Sequence, residues 1–243
     1  MSLTRRYRAL AGAIVVALSA GAATVALVGG PSEARPASGG PRFSDPGNID
    51  NPYLPITERR RCEHRGEDKD GTRTRSVQTL LERSKRFVVD GQKVDAVVVR
   101  DKAYSDGQLV EIAFDYFAQS DDVTVYYLGE DVDNIEDGQV VDHGGTWLLG
   151  KHTDVPGVAM PARPRLDERY RFEDVPGVTT ESNKVEEVGL RALVAGRLHT
   201  RVIRISEFIQ PEGETEQKLY SPGVGKIAEY PPDGRAELVG CRA

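Results

Sequence analysis

Arg86-Phe87-Val88-Val89, then Asp90-Gly91-Gln92, then Val94-Asp95-Ala96-Val97-Val98-Val99, is the stretch whose reading decides the fold. β-Branched residues stand on both sides of a dipeptide that supplies the positive φ angles of a tight hairpin. Asp-Gly recurs at Asp70-Gly71, Asp106-Gly107, Asp137-Gly138 and Asp233-Gly234, mostly beside strand-like runs. After Asp106-Gly107, Val110, Ile112, Phe114 and Tyr116 fall on one face, with Glu111, Ala113 and Asp115 on the other. That alternation reads as a half-buried strand whose acidic side is wet.

Short strand-like runs continue at 123–128, 198–209, 217–220, 226–230 and 235–239, while 183–193 suits a strand about as well as a helix. The expected class is therefore all-β, an antiparallel meander of hairpins with few or no helices. A closed or partly closed barrel is preferred to a sandwich. The interruption at 154–164, with Pro156, Pro161 and Pro164, is expected to cross the surface or cap one end.

At the other end of the chain, Arg5, Arg6 and Arg8 precede an uncharged run from 9 to 28 that ends in Gly29-Gly30-Pro31. Cationic, then apolar, then breaker is the order of an export signal. Ser32-Glu33-Ala34 places small residues where a signal peptidase reads, so cleavage after Ala34 is preferred to a retained membrane anchor. The organisation expected is a signal peptide or anchor at 1–34, a Pro/Gly/Ser-rich flexible linker at 35–50 and one β-domain at 51–243. Any membrane contact would run through 9–28 alone.

Removing 1–34 lowers Lys+Arg from 32 to 29 and Asp+Glu from 38 to 37, a net charge of −8. An acidic surface repels phosphate backbones and anionic lipid, which argues against a nucleic-acid partner. The two cysteines, Cys62 and Cys241, lie in the exported part. In an oxidising compartment they are expected to form one disulfide joining the first and last elements, the alternative being two buried free thiols.

Four strings occur here in one order: Phe114-Asp115-Tyr116-Phe117-Ala118-Gln119, Tyr126-Tyr127-Leu128-Gly129-Glu130-Asp131, Pro156-Gly157-Val158-Ala159-Met160-Pro161-Ala162 and Tyr220-Ser221-Pro222-Gly223-Val224-Gly225. Together they resemble a group of uncharacterised exported bacterial proteins of actinobacterial type. That group tends to read Asp-Trp-Tyr-Ala-Gln, Trp-Tyr-Phe-Gly-Glu, Pro-Gly-Ile-x-Met-Pro and Tyr-Ala-Pro-Gly-Val-Gly. The resemblance spans roughly 51–239 and implies an exported single domain; it transfers no catalytic residue. Tyr116 and Tyr126 stand where the group usually has tryptophan.

Chemistry-bearing patterns are weak. Gly145-Thr146-Trp147-Leu148-Leu149-Gly150-Lys151 has phosphate-loop spacing, but His152 replaces the hydroxyl residue and Pro156 forbids the helix, so it reads as a strand end. Glu130, Asp131, Asp133, Glu136 and Asp137 match no established calcium loop and read as a solvated turn. His64, His143, His152 and His199 are too dispersed to suggest zinc. No cofactor, metal or catalytic residue is indicated, although Glu111 and Asp115 on one strand face would suit acid/base work across a groove.

Aromatic residues carry the remaining signal. Phe114, Tyr116, Phe117, Tyr126, Tyr127 and Trp147 come from neighbouring strands, on both faces. If one face fills a core and the other lines the mouth of a curled sheet, the result is a pocket for a small apolar or amphipathic ligand. The preferred reading is thus an exported non-catalytic β-domain that binds such a ligand or a cell-envelope partner. The alternative is an extracytoplasmic hydrolase with an unrecognised carboxylate or histidine site.

Overall fold

Asp90 and Gly91 take φ of 46° and 77°, both positive, and so turn β2 (Arg73–Val89) directly into β3 (Gln92–Ser105) as a two-residue hairpin. Asp106-Gly107 does the same between β3 and β4 (Gln108–Gln119), and Asp137-Gly138 between β5 (Val125–Glu136) and β6 (Gln139–Asp142). Ala195-Gly196 makes an equivalent turn between β10 (Thr179–Val194) and β11 (Arg197–Gln210), without the Asp-Gly signature.

The computed structural model describes residues 40–210 and 213–242. The export segment at 1–34 and the first residues of the expected linker lie outside them. Among the described residues there are fourteen strands and no helix. The remaining strands are β1 (Arg61–Asp68), β7 (Trp147–Leu148), β8 (Gly157–Met160), β9 (Arg169–Val175), β12 (Glu214–Ser221), β13 (Gly225–Tyr230) and β14 (Gly234–Arg242). The segment at 183–193 is part of β10, so the strand reading of it holds.

The strands form one antiparallel sheet in the order β6-β5-β4-β3-β2-β1-β14-β13-β12-β11-β10-β9. One arm of hairpins runs outward from β1 and the other returns to β14. The arms meet where β1 pairs β14 from Arg61↔Arg242 to Asp68↔Gly234. Cys62 and Cys241 are directly opposed in that ladder, with Cα atoms 4.1 Å apart, and are joined by a disulfide. The far ends approach each other through β8. It pairs with β5 at Tyr127↔Gly157, and a Cβ on Gly157 would meet the backbone oxygen of Phe172 in β9 at 1.9 Å. The sheet is therefore curled into a partly closed barrel.

Three sequence expectations change here. Residues 157–160, expected to cross the surface, form β8 and bury Ala159 and Met160, because Gly157 permits the close strand approach that a side chain would block. Part of the expected flexible linker is packed: Ile49 is fully buried, Phe43 meets the Tyr126 ring edge-on at 5.6 Å, and Gln119 accepts from the backbone N–H groups of Asp50 and Asn51. Finally, the acidic run 130–137 is mostly strand, and its alternation sends Glu130 inward and Asp131 outward.

Apolar clusters form on both sides of the wall. The interior group includes Ile49, Val125, Tyr127, Trp147, Met160, Val185 and Ile203. On the side that Tyr116 faces, Phe87, Val94, Val98, Tyr116 and Leu128 pack together. A third group joins β10–β11 to β12–β14 beside the disulfide, through Val194, Val202, Leu219, Ile227 and Leu238.

The bridge closes a loop spanning a sequence separation of 179 residues. Cys62→Ser with Cys241→Ser is expected to lower unfolding free energy by ~2–4 kcal/mol, less than the ~5 kcal/mol that chain entropy alone suggests. Urea denaturation of the oxidised protein and the double variant measures it, and equal midpoints would contradict this role for the seam.

Candidate functional site

The strand alternation that looked like a wet face points into the barrel. Ala113, Asp115 and Phe117 of β4 line an interior cavity of about 140 Å³, and Glu111, expected on the solvated side, is buried. Phe114 and Tyr116, of opposite parity, face away from it. The assignment of faces on β4 is thus the reverse of the sequence expectation: here the acid-bearing face is enclosed, and the Phe114/Tyr116 face borders an outer groove.

Both arms supply the cavity. Asp101, Asp115 and Glu130 come from β3, β4 and β5; Glu173, Glu181 and Glu207 come from β9, β10 and β11; Lys218 and Lys226 come from β12 and β13. One part of the lining is aromatic. Tyr127 stacks between Phe117, at 4.9 Å between ring centroids, and Phe172, at 5.1 Å. The edge-on indole of Trp147 lies 5.3 Å from Tyr127. The Tyr127 hydroxyl donates to Asp115 Oδ1 at 2.9 Å, and Trp147 Nε1 donates to Glu173 Oε1 at 3.0 Å.

The two lysines are held by acids. Lys218 donates to Glu207 and lies 3.4 Å from Glu216, while Lys226 donates to Glu229 at 2.5 Å. Burial alone would raise Glu207 and Glu229, but the charges and hydrogen bonds of Lys218 and Lys226 win, and both stay below the ordinary carboxylate range. The other acids go the opposite way. Burial, reinforced by Asp101, pushes Asp115 up to about 7, and burial pushes Glu173 up to about 8. Burial and the charge of Glu173 drive Glu130 and Glu181 well above the usual range. Asp101 rises to about 6, mainly by burial and against the pull of Lys226.

At neutral pH, then, Lys218 and Lys226 are balanced chiefly by Glu207 and Glu229, and Glu130, Glu173 and Glu181 keep their protons. Oε2 of Glu173 and Oε1 of Glu130 have no hydrogen-bond partner, whereas protonated Glu181 is hydrogen-bonded to Glu207. A polar cavity with unfilled hydrogen-bonding capacity at one part and stacked rings at another is a place to orient a small molecule.

A second, smaller hollow of about 90 Å³ adjoins the cavity and shares Leu54, Gln78, Phe117 and Lys226 with it. Its lining is mostly apolar, from Pro55, Ile56, Leu80, Val99 and Val224. His64, expected only as a dispersed histidine, lies at this junction: its Nε2 donates to the Lys226 carbonyl at 3.0 Å, and burial lowers it to about 4, so the ring is neutral.

Of the six aromatic residues singled out by sequence, Phe117 and Tyr127 line the cavity and Trp147 backs it. Phe114 and Tyr116 border an outer groove, where Arg83 lies 4.9 Å over the Phe114 ring and Lys85 lies 4.3 Å over the Tyr116 ring. There the Tyr116 hydroxyl and Lys85 both donate to Asp131 Oδ2, at 2.5 and 2.9 Å. Tyr126 packs on Phe43 and lines neither hollow. Sequence reasoning missed Glu173, Glu181, Glu207, Lys218 and Lys226. Glu181 stands in the wholly polar run 179–184, which carries no alternation, and only Glu207, on the parity of Ile203, Ile205 and Ile209 along β11, shows a readable signal. His143, Asp133 and the other acids of the run form no metal-binding group: among the described residues, no cluster of three His, Cys, Asp or Glu side chains could hold a metal ion.

Compared with family models, curated proteins and solved structures, the chain matches none.

The buried acids make stability fall as pH rises. Asp115 and Glu173 bind protons more tightly in the folded state than at their ordinary values of 3.8 and 4.5. Their contribution is full below those values and is lost as pH passes through about 7 and about 8. Glu207 and Glu229 have the reverse dependence, losing theirs in acid. The urea midpoint is expected to drop between about pH 5 and about pH 8.5, as unfolding free energy falls by several kcal/mol. Asp115→Asn, which can still accept from Tyr127, should flatten that fall; a profile rising toward alkaline pH would contradict the assignment.

Proposed function

We propose that the protein is an exported β-barrel domain that binds a small amphipathic molecule in its interior. The observation that carries the reading is the cavity lining that combines the Phe117–Tyr127–Phe172 stack with partnerless carboxyl oxygens of Glu130 and Glu173. Apolar area supplies affinity, and a few placed polar groups supply orientation. The adjoining apolar hollow gives such a ligand's hydrophobic part a second surface. Export is supported by the cationic–apolar–breaker order at 5–31, and a disulfide is compatible with an oxidising compartment.

Trp147, the sole tryptophan, is fully buried and touches both Tyr127 and Glu173, so its emission reports on the cavity. Titration with a small hydrophobic fluorophore is expected to quench or shift that emission saturably. Ala159→Phe, which places a ring in the space lined by Ala159, should abolish the response while the fold, followed by circular dichroism, persists. An unsaturable response, or an unchanged one in Ala159→Phe, would contradict interior binding.

One observation favours a second reading, hydrolysis by acid/base carboxyls. Glu181 and Glu207 interact directly and are displaced in opposite directions, Glu181 by burial and neighbouring acids, Glu207 by Lys218. Environments that push two carboxyls apart assign one as acid and the other as base. A screened hydrolytic activity that is lost in Glu207→Gln with binding intact would support it.

A further inference from the structure

Three features of the interior converge on one ligand chemistry. Glu173 and Glu181 are each 1% exposed and line the cavity, and Glu173 keeps an oxygen without a partner. Glu130, from the other arm, brings a second. The same cavity presents the continuous stack of Phe117, Tyr127 and Phe172, whose ring faces carry negative potential. Meanwhile both lysines in the lining are already paired, Lys218 with Glu207 and Glu216, and Lys226 with Glu229.

We infer that the barrel interior is a site for a small organic amine, its ammonium held by Glu173, Glu181 and Glu130 and its apolar body lying against Phe117, Tyr127 and Phe172. The inference rests on the interior-binding reading above and narrows it to a ligand class. An ammonium group offers three donors and no acceptor, which complements oxygens that lack donors. Ring faces attract the same charge. A neutral alcohol of equal shape offers one donor and no charge, and an anion would add to an acidic lining. In a site poor in water each of these differences counts for more than it would at the surface.

Binding has a protonic consequence. Glu173 and Glu181 hold their protons, and Asp115 holds its proton in part, because burial and neighbouring carboxyls disfavour the ionised forms. An added cation favours ionisation, so protons leave as the amine enters. The other charged groups lining the cavity are Asp101 and Glu207, which act in the same sense as the ligand's hosts, and Lys218 and Lys226, whose charges already answer Glu207 and Glu229.

The experiment uses the oxidised, exported protein and three probes of one shape: phenethylamine, 2-phenylethanol and phenylacetate. Calorimetric titration at about pH 7, in two buffers of different ionisation enthalpy and alongside Trp147 emission, is expected to show the amine binding roughly tenfold or more tighter than the alcohol, with phenylacetate weakest. The amine's heats should differ between buffers in the sense of proton release. Glu181→Gln should remove most of the amine's advantage over the alcohol. If that variant does not fold, the buffer comparison on the unaltered protein decides alone. Equal affinity for amine and alcohol without proton release overturns the amine assignment but leaves interior binding standing. No binding of any probe, with Trp147 emission unchanged, overturns both.

Discussion

The β1–β14 ladder is the constraint on which the interior depends. Each arm of the sheet is a plain meander held by local hairpins, and neither alone encloses anything. Asp101, Asp115 and Glu130 belong to the outgoing arm, whereas Glu173, Glu181, Glu207 and both cavity lysines belong to the returning one. The pairing of Arg61–Asp68 with Gly234–Arg242, fixed by Cys62–Cys241 and complemented at the far ends by the β5–β8 contact, sets these two groups around a shared volume. The bridge therefore acts on site geometry as well as on stability. It also lies beside the apolar group of Val202, Leu219, Ile227 and Leu238, which stiffens the wall where Lys218 and Lys226 project inward.

Charge inside the barrel is settled by pairing and by protonation together. Isolated buried ions are costly, and a chain with many interior carboxyls must either pair them or keep them neutral. Lys218 and Lys226 meet that need for Glu207 and Glu229. Glu130, Glu173 and Glu181 lie beyond reach of a free cation and remain protonated. Such groups are poor contributors to stability in alkaline conditions, and nothing in the packing alone calls for them. The proposed ligand site would give those carboxyls a reason to be there that packing does not.

Much of the fold was legible in the sequence because hairpin chemistry is local. Asp90-Gly91, Asp106-Gly107 and Asp137-Gly138 each turn the chain through two positive φ angles, and the β-branched runs beside them are strands. Ala195-Gly196 turns equally well, yet alanine does not announce a positive φ. The site was less legible for a different reason. Alternation separates the two faces of a strand but does not say which is enclosed. On β4, Glu111, Ala113 and Asp115 look like a wet face when polar is taken to mean outside, and a barrel with a polar interior inverts that rule. The aromatic residues divide by the same parity: Phe117 and Tyr127 go in, while Phe114 and Tyr116 meet Arg83 and Lys85 in the outer groove.

The segment that precedes β1, which the sequence presented as the edge of a loose tether, lines the smaller hollow. Asn51 makes it rigid. It is fully buried, its Nδ2 donates to the carbonyls of Val123 at 2.8 Å and Pro161 at 3.1 Å, and its Oδ1 accepts from the Tyr53 backbone N–H at 2.9 Å. Further along, Arg59 donates to the Gly223 carbonyl through Nε and Nη2, at 2.9 and 2.6 Å, and the Gly223 N–H donates to the Pro52 carbonyl at 2.7 Å. Between these ties sit Leu54, Pro55 and Ile56, the apolar lining of the smaller hollow. The segment thus crosses from β5 and β8 to the β12–β13 turn and holds apolar side chains against the junction with the acidic cavity. Backbone hydrogen bonds run through its middle as well, the Leu54 N–H donating to the Asn51 carbonyl and the Ile56 N–H to the Leu54 carbonyl, each at 3.0 Å, so these apolar side chains are held in a fixed turn at that junction. On that geometry the polar cavity and the apolar hollow meet along one segment, anchored by Asn51 at one end and Arg59 at the other.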